Sequence, residues 1–235
     1  MGFSRASALE REREGSALAV PFVPPSEVLA MSYVALFAAV LCAVLRCSLG
    51  NYIFSALTTL LCALAVSASG GVPGKVPLIA GLLVSIVADW CLAHQKAGEN
   101  MFLYGVMGFF AAHCLFAWYT FSRFSYNLPA LVIALVLLVG YGVYLFARLM
   151  PRVETGLKIP VLLYMVVSVL SLYFAMSMDA PLWERVLYIA GIAAILVSDT
   201  MIGESDFGGN KAADKLFLPA YYLCHVLISL SAVIR

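Results

Sequence analysis

Two aspartates stand where an apolar chain would ordinarily place none. Asp89 comes late in "IAGLLVSIVADW" (Ile79–Trp90) and Asp199 late in "IAGIAAILVSDT" (Ile189–Thr200), each at the same distance from its glycine. The chain holds only 13 acids in 235 residues, so an acid in an oily run asks for a physical reason. A carboxylate at the centre of a lipid-facing helix costs about 2.5–3.5 kcal/mol on insertion scales. Acids inside a membrane therefore turn toward a bundle interior or a wet cavity. Two carboxyls in such surroundings can divide into a proton donor and an anion, because burial and like-charge proximity drive their proton affinities apart.

The polar residues around them suggest supporting roles. Ser85 precedes Asp89 by one helical turn on the same face and is expected to hold its carboxyl by a hydrogen bond. Ser198 adjoins Asp199 and belongs to the same expected site. His113 and His225 occur about ten residues into the runs that follow the two aspartates. At helical rise they would lie roughly 8–10 Å deeper than the acids, where a histidine hydrogen-bonds across helices. Tyr164 and Tyr221 are candidate pocket donors, while Tyr104, Tyr119 and Tyr222 read as packing or interfacial anchors. Two Asp and two His would suit a zinc or di-metal hydrolase. The depth difference and the absence of any HxxxH or HxxE spacing argue for no metal, and no cofactor is expected. Glu204 and Asp206 are assigned to a solvated loop, outside the site.

Helices must position these residues. The chain is 63% hydrophobic and 11% charged, with a mean hydropathy of +0.99, far from the balance of a soluble domain. A formal net charge of +1 offers no basic footprint for nucleic acid. Apolar runs of nearly 20 residues appear at Val28–Leu45, Tyr52–Ser69, Val76–Ala93, Met101–Phe121, Leu128–Phe146, Ile159–Met178, Val186–Gly203 and Leu216–Ile234. Each is long enough to cross about 30 Å of hydrocarbon as a helix, and open strands are excluded because their backbone groups would go unpaired in lipid. The expected fold is all-α: a polytopic bundle of about eight transmembrane helices over residues 27–235. It follows a polar tail over residues 1–26 with alternating Glu and Arg and no cleavable signal pattern. Lys and Arg divide evenly between the two sides, so the positive-inside rule is silent. The six cysteines form no CxxC pair and read as packing residues.

The two halves echo one another. The matched Gly-to-Asp segments are each followed by a histidine in the next run, in "HCLFAWY" and "HVLISLS". The echo reads either as a four-plus-four duplication with the halves inserted in parallel or as coincidence among apolar segments. With four crossings between them, Asp89 and Asp199 come to one depth, roughly 6–8 Å below one face at helical rise.

At these residues the sequence resembles the lysoplasmalogenases, also called YhhN-like membrane proteins. One signature is S-x-x-[GA]-D-x-x-L, followed by F-x-x-G and a histidine one span on; Ser85, Asp89, Leu92, Phe102, Gly105 and His113 match it. Another is a span ending S-D-[ST]-x-[LI]-x-x-x-x-F, matched by Ser198, Asp199, Thr200, Ile202 and Phe207. The tyrosine-rich last helix, Tyr221–Tyr222, agrees as well. The chain departs where that family has Lys-Pro-Leu at the start of the second helix, for here stand Ser55, Ala56 and Leu57. Ala88 replaces the glycine before the first aspartate, and His225 stands where glutamine is common.

The resemblance implies a multi-pass enzyme of the bacterial cytoplasmic membrane or the eukaryotic endoplasmic reticulum. Its substrate would be a single-chain ether phospholipid among the membrane lipids, a lysoplasmalogen, cleaved at its vinyl ether to a fatty aldehyde and a glycerophospho-base. That chemistry suits two carboxyls. Protonation of the β-carbon leaves an oxocarbenium ion, water adds, and the hemiacetal collapses. One acid must supply the proton and an anion must stabilise the cation, the division that glycosidases reach with the same groups. Two other readings remain open on the residues alone: a proton- or cation-coupled transporter, and a lipid-binding membrane protein without turnover.

Overall fold

The computed structural model describes residues 25–70, 74–98 and 100–234. Among them are eight α-helices: α1 (Pro25–Leu49), α2 (Tyr52–Ala68), α3 (Lys75–Ala93), α4 (Met101–Phe121), α5 (Leu128–Tyr144), α6 (Thr155–Met176), α7 (Leu182–Asp206) and α8 (Lys211–Val233). There is no β-strand among the described residues, only one isolated bridge between Phe124 and Met178. The expected polar tail falls almost wholly on residues 1–24, outside the described residues.

The helices begin and end on polar or glycine signals that lie outside the oily runs. Asn51, Asn127 and Asn210 each accept a backbone N–H from the first turn of the following helix, satisfying donors that the helix itself leaves orphaned. Gly50 closes α1 and Gly74 opens α3 with φ of 71° and 66°, a conformation that favours glycine. Helices therefore outrun the apolar segments that announce them: α7 starts four residues before the predicted Val186 and α8 five before Leu216.

Seven of the eight helices are long and apolar enough to cross a membrane by length and composition. The eighth, α2, has 17 residues, which is about 25 Å at helical rise. That is the lower end of the range for a spanning helix, and the bundle has the eight helices the sequence predicts, seven of them long. The chain is a polytopic helical bundle and a multi-pass membrane protein.

Its polarity runs opposite to that of a soluble protein. Val34, Phe37, Val136 and Val139 are exposed on the outside, while Ser55, Thr58, Ser85, His113, Ser171, His225 and Ser229 are buried. Hydrocarbon rewards that arrangement, since the outer face needs no polar groups and polar side chains serve as glue between helices. Ser32 donates to the Ala65 carbonyl at 3.1 Å across α1 and α2, and Ser171 to the His113 carbonyl at 3.2 Å across α6 and α4. α5 buries only Ala130 and Ala134 and so sits at the rim.

The echo between the halves extends into the packing. Gly81 on α3 lies against the ring of Phe116 on α4, and Gly191 on α7 lies against Ile228 on α8. Phe116 stands three residues after His113, and Ile228 three after His225. A Cβ on Gly191 would fall 2.6 Å from the Ile228 side chain and 3.1 Å from its backbone nitrogen. A larger residue at Gly191 would press on the α8 backbone as well as on the Ile228 side chain, whereas one at Gly81 would meet only the Phe116 ring. Equivalent positions thus make equivalent contacts, as the duplication reading requires.

Candidate active site

Helix direction gathers the polar residues at one end of the bundle. α1, α3, α5 and α7 finish there and α2, α4, α6 and α8 begin there, so Arg46, Ser55, Asp89, Tyr141, Asp199 and Asp214 all approach the same face. A polar cavity of about 180 Å³ opens among them and is lined by both Asp89 and Asp199. The two acids, separated by more than a hundred residues of chain, share one space. A second cavity, almost wholly apolar, lies beside it between α4, α5, α6 and α7, with Phe102, Val106, Leu145 and Met165 in its wall. Asp199, Leu92, Phe109 and Ile202 belong to both walls. Asp199 is therefore the polar group at the junction of a wet compartment and an oily one.

Each aspartate is held differently. Asp89 Oδ2 accepts a hydrogen bond from Ser55 Oγ at 2.8 Å. The Tyr221 phenol lies against Asp89 and closes no hydrogen bond. Close approach of α4 fixes α3 here: a Cβ on Gly108 would fall 2.8 Å from that of Ala88, the residue just before Asp89. Asp199, only 11% exposed, faces His113 Nε2 at 3.6 Å and the Tyr164 phenol. Asp199 Oδ2, His113 Nε2 and Tyr164 Oη are all buried and all without a closed hydrogen bond. The Tyr164 and His113 rings meet edge to face at 5.0 Å between centroids.

The histidine's other nitrogen decides its tautomer. His113 Nδ1 lies 3.0 Å from the Phe109 carbonyl, which can only accept, so Nδ1 carries the hydrogen. In the neutral ring Nε2 is then an acceptor, and it points at a carboxyl oxygen. Two acceptors face one another stably only with a proton between them. His113 and Asp199 are arranged to hold one transferable proton, whereas Asp89 is surrounded by donors.

Several expectations change on this geometry. Ser85 does not hold Asp89; its hydroxyl donates to the Gly81 carbonyl at 2.9 Å, the backbone acceptor one turn back that lies closest to a buried helical serine. Ser55 from the neighbouring helix takes that place. His113 is not stranded 8–10 Å below the acids. Side chains lean toward the N-terminus of their own helix, so His113 on α4 leans toward the site face while Asp199 on α7 leans away from it, and the two converge. Ser198 turns from the cavities and donates to the Phe217 carbonyl at 3.0 Å, tying α7 to α8. His225 lines neither cavity; it is buried with both ring nitrogens unpartnered and packs on the Tyr221 ring at 4.3 Å. Glu204 and Asp206 lie in the last turns of α7 rather than in a loop. Glu204 pairs with Arg148 at 3.1 Å and with Tyr144, and Asp206 lines the polar cavity. Tyr164 lines the apolar cavity and Tyr221 the polar one.

Ser55, Arg46, Tyr52, Tyr141 and Tyr222 also line one or other cavity and were not singled out as site residues. A charge ending an apolar run at Arg46 and a serine in the first turn of α2 were the available signals. Among the described residues no group of three His, Cys, Asp or Glu side chains converges as a metal-binding set.

No curated protein and no solved structure matches this chain. The YhhN family matches residues 50–232, a stretch that takes in α2 to the last turn of α8 with both aspartates, Ser55, His113 and Tyr164. With more than three quarters of its length matched, and with the paired intramembrane acids inside the match, the chain belongs to the YhhN family.

Proposed function

We propose that this chain is a membrane hydrolase that cleaves the vinyl ether of a single-chain ether phospholipid, a lysoplasmalogen, into a fatty aldehyde and a glycerophospho-base. One observation carries the reading: two intramembrane carboxyls open onto a single cavity, and one of them stands where that polar cavity meets an apolar one. A lipid with one chain, a polar head and a labile bond at their boundary fits that division. The alkenyl chain lies in the apolar cavity, the head group in the polar one, and the vinyl ether beside Asp199.

The residues then take distinct parts. Asp199, sharing its proton with His113, protonates the β-carbon of the alkenyl group, and the π electrons form the new C–H bond. The adjacent carbon becomes an oxocarbenium centre, and the Asp89 carboxylate stabilises that positive charge. Ser55 holds Asp89 in the orientation this requires. Water adds to the cationic carbon and gives up a proton to the carboxyl pair, forming a hemiacetal. The hemiacetal breaks its bond to the glycerol oxygen, which takes a proton, and the aldehyde leaves. One water is consumed and the acid is restored. Tyr164 positions Asp199, and Phe109 and Leu92 keep bulk water from the junction.

The test is direct. The purified protein in lipid nanodiscs is incubated with 1-alkenyl-glycerophosphoethanolamine, and released aldehyde is measured. Aldehyde release that is lost in both Asp89→Asn and Asp199→Asn supports the reading. No aldehyde from the wild-type protein, or full activity in either variant, defeats it.

A further inference from the structure

One wall of the apolar cavity is built unlike the others. Of the four helices around that cavity, α4 packs along α6, and α6 packs along both α5 and α7. α5 and α7 finish at the same face but are joined there by long side chains. Tyr141 Oη lies 3.0 Å from Thr200 Oγ1. About one turn further on, the Tyr144 hydroxyl donates to Glu204, and Arg148 Nε donates to the same carboxylate at 3.1 Å. Leu149 rests on Gly203, where a Cβ would fall 3.0 Å from Leu149 Cδ1. Behind this seam lies the cavity, lined by Tyr141, Leu145 and Leu149 from one side and by Asp199, Ile202 and Gly203 from the other.

The α5 side of the seam can move at little cost. α5 buries only Ala130 and Ala134 along its length, and Val136, Val139 and Val143 are exposed on its outer face. Lipid tails are as apolar as a neighbouring helix, so trading one contact for the other changes little. Beyond Tyr144 the helix continues as a single π turn, Leu145–Leu149, in which the Met150 N–H donates to the Leu145 carbonyl at 2.9 Å. Turns of this kind are rare and frequently mark functional sites. The Arg148 side chain is 53% exposed, so its pair with Glu204 is of the surface kind that contributes little and can be exchanged for water. α7, by contrast, is held along its length by α8 and α6.

We propose that the α5–α7 seam is a lateral portal through which the chain of a membrane lipid enters the apolar cavity from within the bilayer, latched by Leu149 on Gly203 and by Tyr144 and Arg148 on Glu204. The assignment rests on the lipid-substrate reading above and adds the route by which that lipid arrives. A single-chain lipid in the leaflet already has its chain in hydrocarbon and its head at the interface. Sliding sideways through the seam keeps both at their levels, with the head passing where α5 and α7 end. Entry through the polar cavity would instead draw the whole chain past polar walls and forfeit its burial on the way.

Exchange rates separate the route from the affinity. Leu149→Cys with Gly203→Cys is made in the full-length protein, with the exposed Cys47 and Cys114 changed to Ser, and placed in nanodiscs. A short reducible bis-methanethiosulfonate crosslinker then joins the pair. The probe is 1-O-alkyl-glycerophosphoethanolamine with a fluorescent chain, a saturated ether that cannot be cleaved. Crosslinking should slow its association and its release alike by at least about tenfold, leave Kd within about twofold, and be reversed by reduction. Tyr144→Phe with Glu204→Gln opens the latch and should speed both rates by about threefold, the worth of an exposed pair. Binding whose rates ignore the crosslink overturns the portal and leaves the lipid reading standing. Slower association with unchanged or faster release also overturns it, since that is the mark of a damaged cavity. No binding by the uncrosslinked protein defeats the portal and the lipid reading together. Gated binding without aldehyde release from the vinyl ether defeats the hydrolysis reading and leaves the portal in place.

Discussion

The two halves carry the same acid at the same point and surround it differently. Asp89 on α3 is met from α2 by a serine that donates. Asp199 on α7 is met from α6 by Tyr164 and from α4 by a histidine nitrogen that can only accept in its neutral form. Asp89 opens on the polar cavity alone, whereas Asp199 opens on both. An anion is best kept among donors, and a proton is best kept between two acceptors. A repeated helix pair thus places two equal groups, and their neighbours assign them unequal work.

The largest effects should come from removing either half of the pair. Asp199→Asn and Asp89→Asn should each reduce aldehyde release at least a thousandfold, in line with the reach of general acid–base and electrostatic catalysis, while thermal unfolding stays within a few degrees of wild type. His113 comes next. His113→Gln should lower kcat by about a hundredfold and change the shape of the pH–rate profile, because the group sharing the proton with Asp199 has gone. His225→Gln, the equivalent change in the other half, should leave that profile unchanged. Ser55→Ala removes one hydrogen bond to a carboxylate and should cost about tenfold in kcat, with Ser55→Thr restoring most of it. The smallest effect belongs to Ser85→Ala. Its hydroxyl serves only its own helix, so both turnover and stability should move by less than about 0.5 kcal/mol. A large loss of activity in Ser85→Ala with a small one in Ser55→Ala would reverse the assignment of Asp89's partner.

Packing offers a separate way to break the comparison. Gly81 and Gly191 both sit under a large side chain of the next helix. Replacing Gly191 by Val should destabilise the α7–α8 pair by about 1–3 kcal/mol, read as a fall in the thermal midpoint. Gly81→Val should do less, since the Phe116 ring that faces it can rotate aside, while Ile228 presents backbone as well as side chain.

Much of the architecture was legible because lipid imposes a simple rule. Runs of apolar residues long enough to cross hydrocarbon must be helical, and α4 coincides with its predicted span, Met101–Phe121, at both ends. The ends of α7 and α8 were misjudged because caps and interfacial turns are polar, and hydropathy cannot see them. The aspartates stood out for the same reason that the helices did: a charge in oil is conspicuous. Their partners did not stand out. Ser55 looks like any other serine in an apolar run, and nothing local distinguishes it from Ser85, which lay nearer in sequence. Nothing local in the sequence sets Arg46 apart from other charges at helix ends; its place in the wall of the polar cavity does.

Composition and periodicity alone determined that this protein is a bundle of membrane helices with two acids at one level, because the cost of exposing backbone or charge to hydrocarbon is paid residue by residue. Which side chain completes each acid depended on the lateral arrangement of helices and on the lean of Cβ atoms toward helix N-termini, which brought His113 up and Asp199 down to meet. Contacts between helices are set by rotation about their axes. Hydropathy constrains that rotation only weakly, and packing of residues such as Gly108 on Ala88 fixes it.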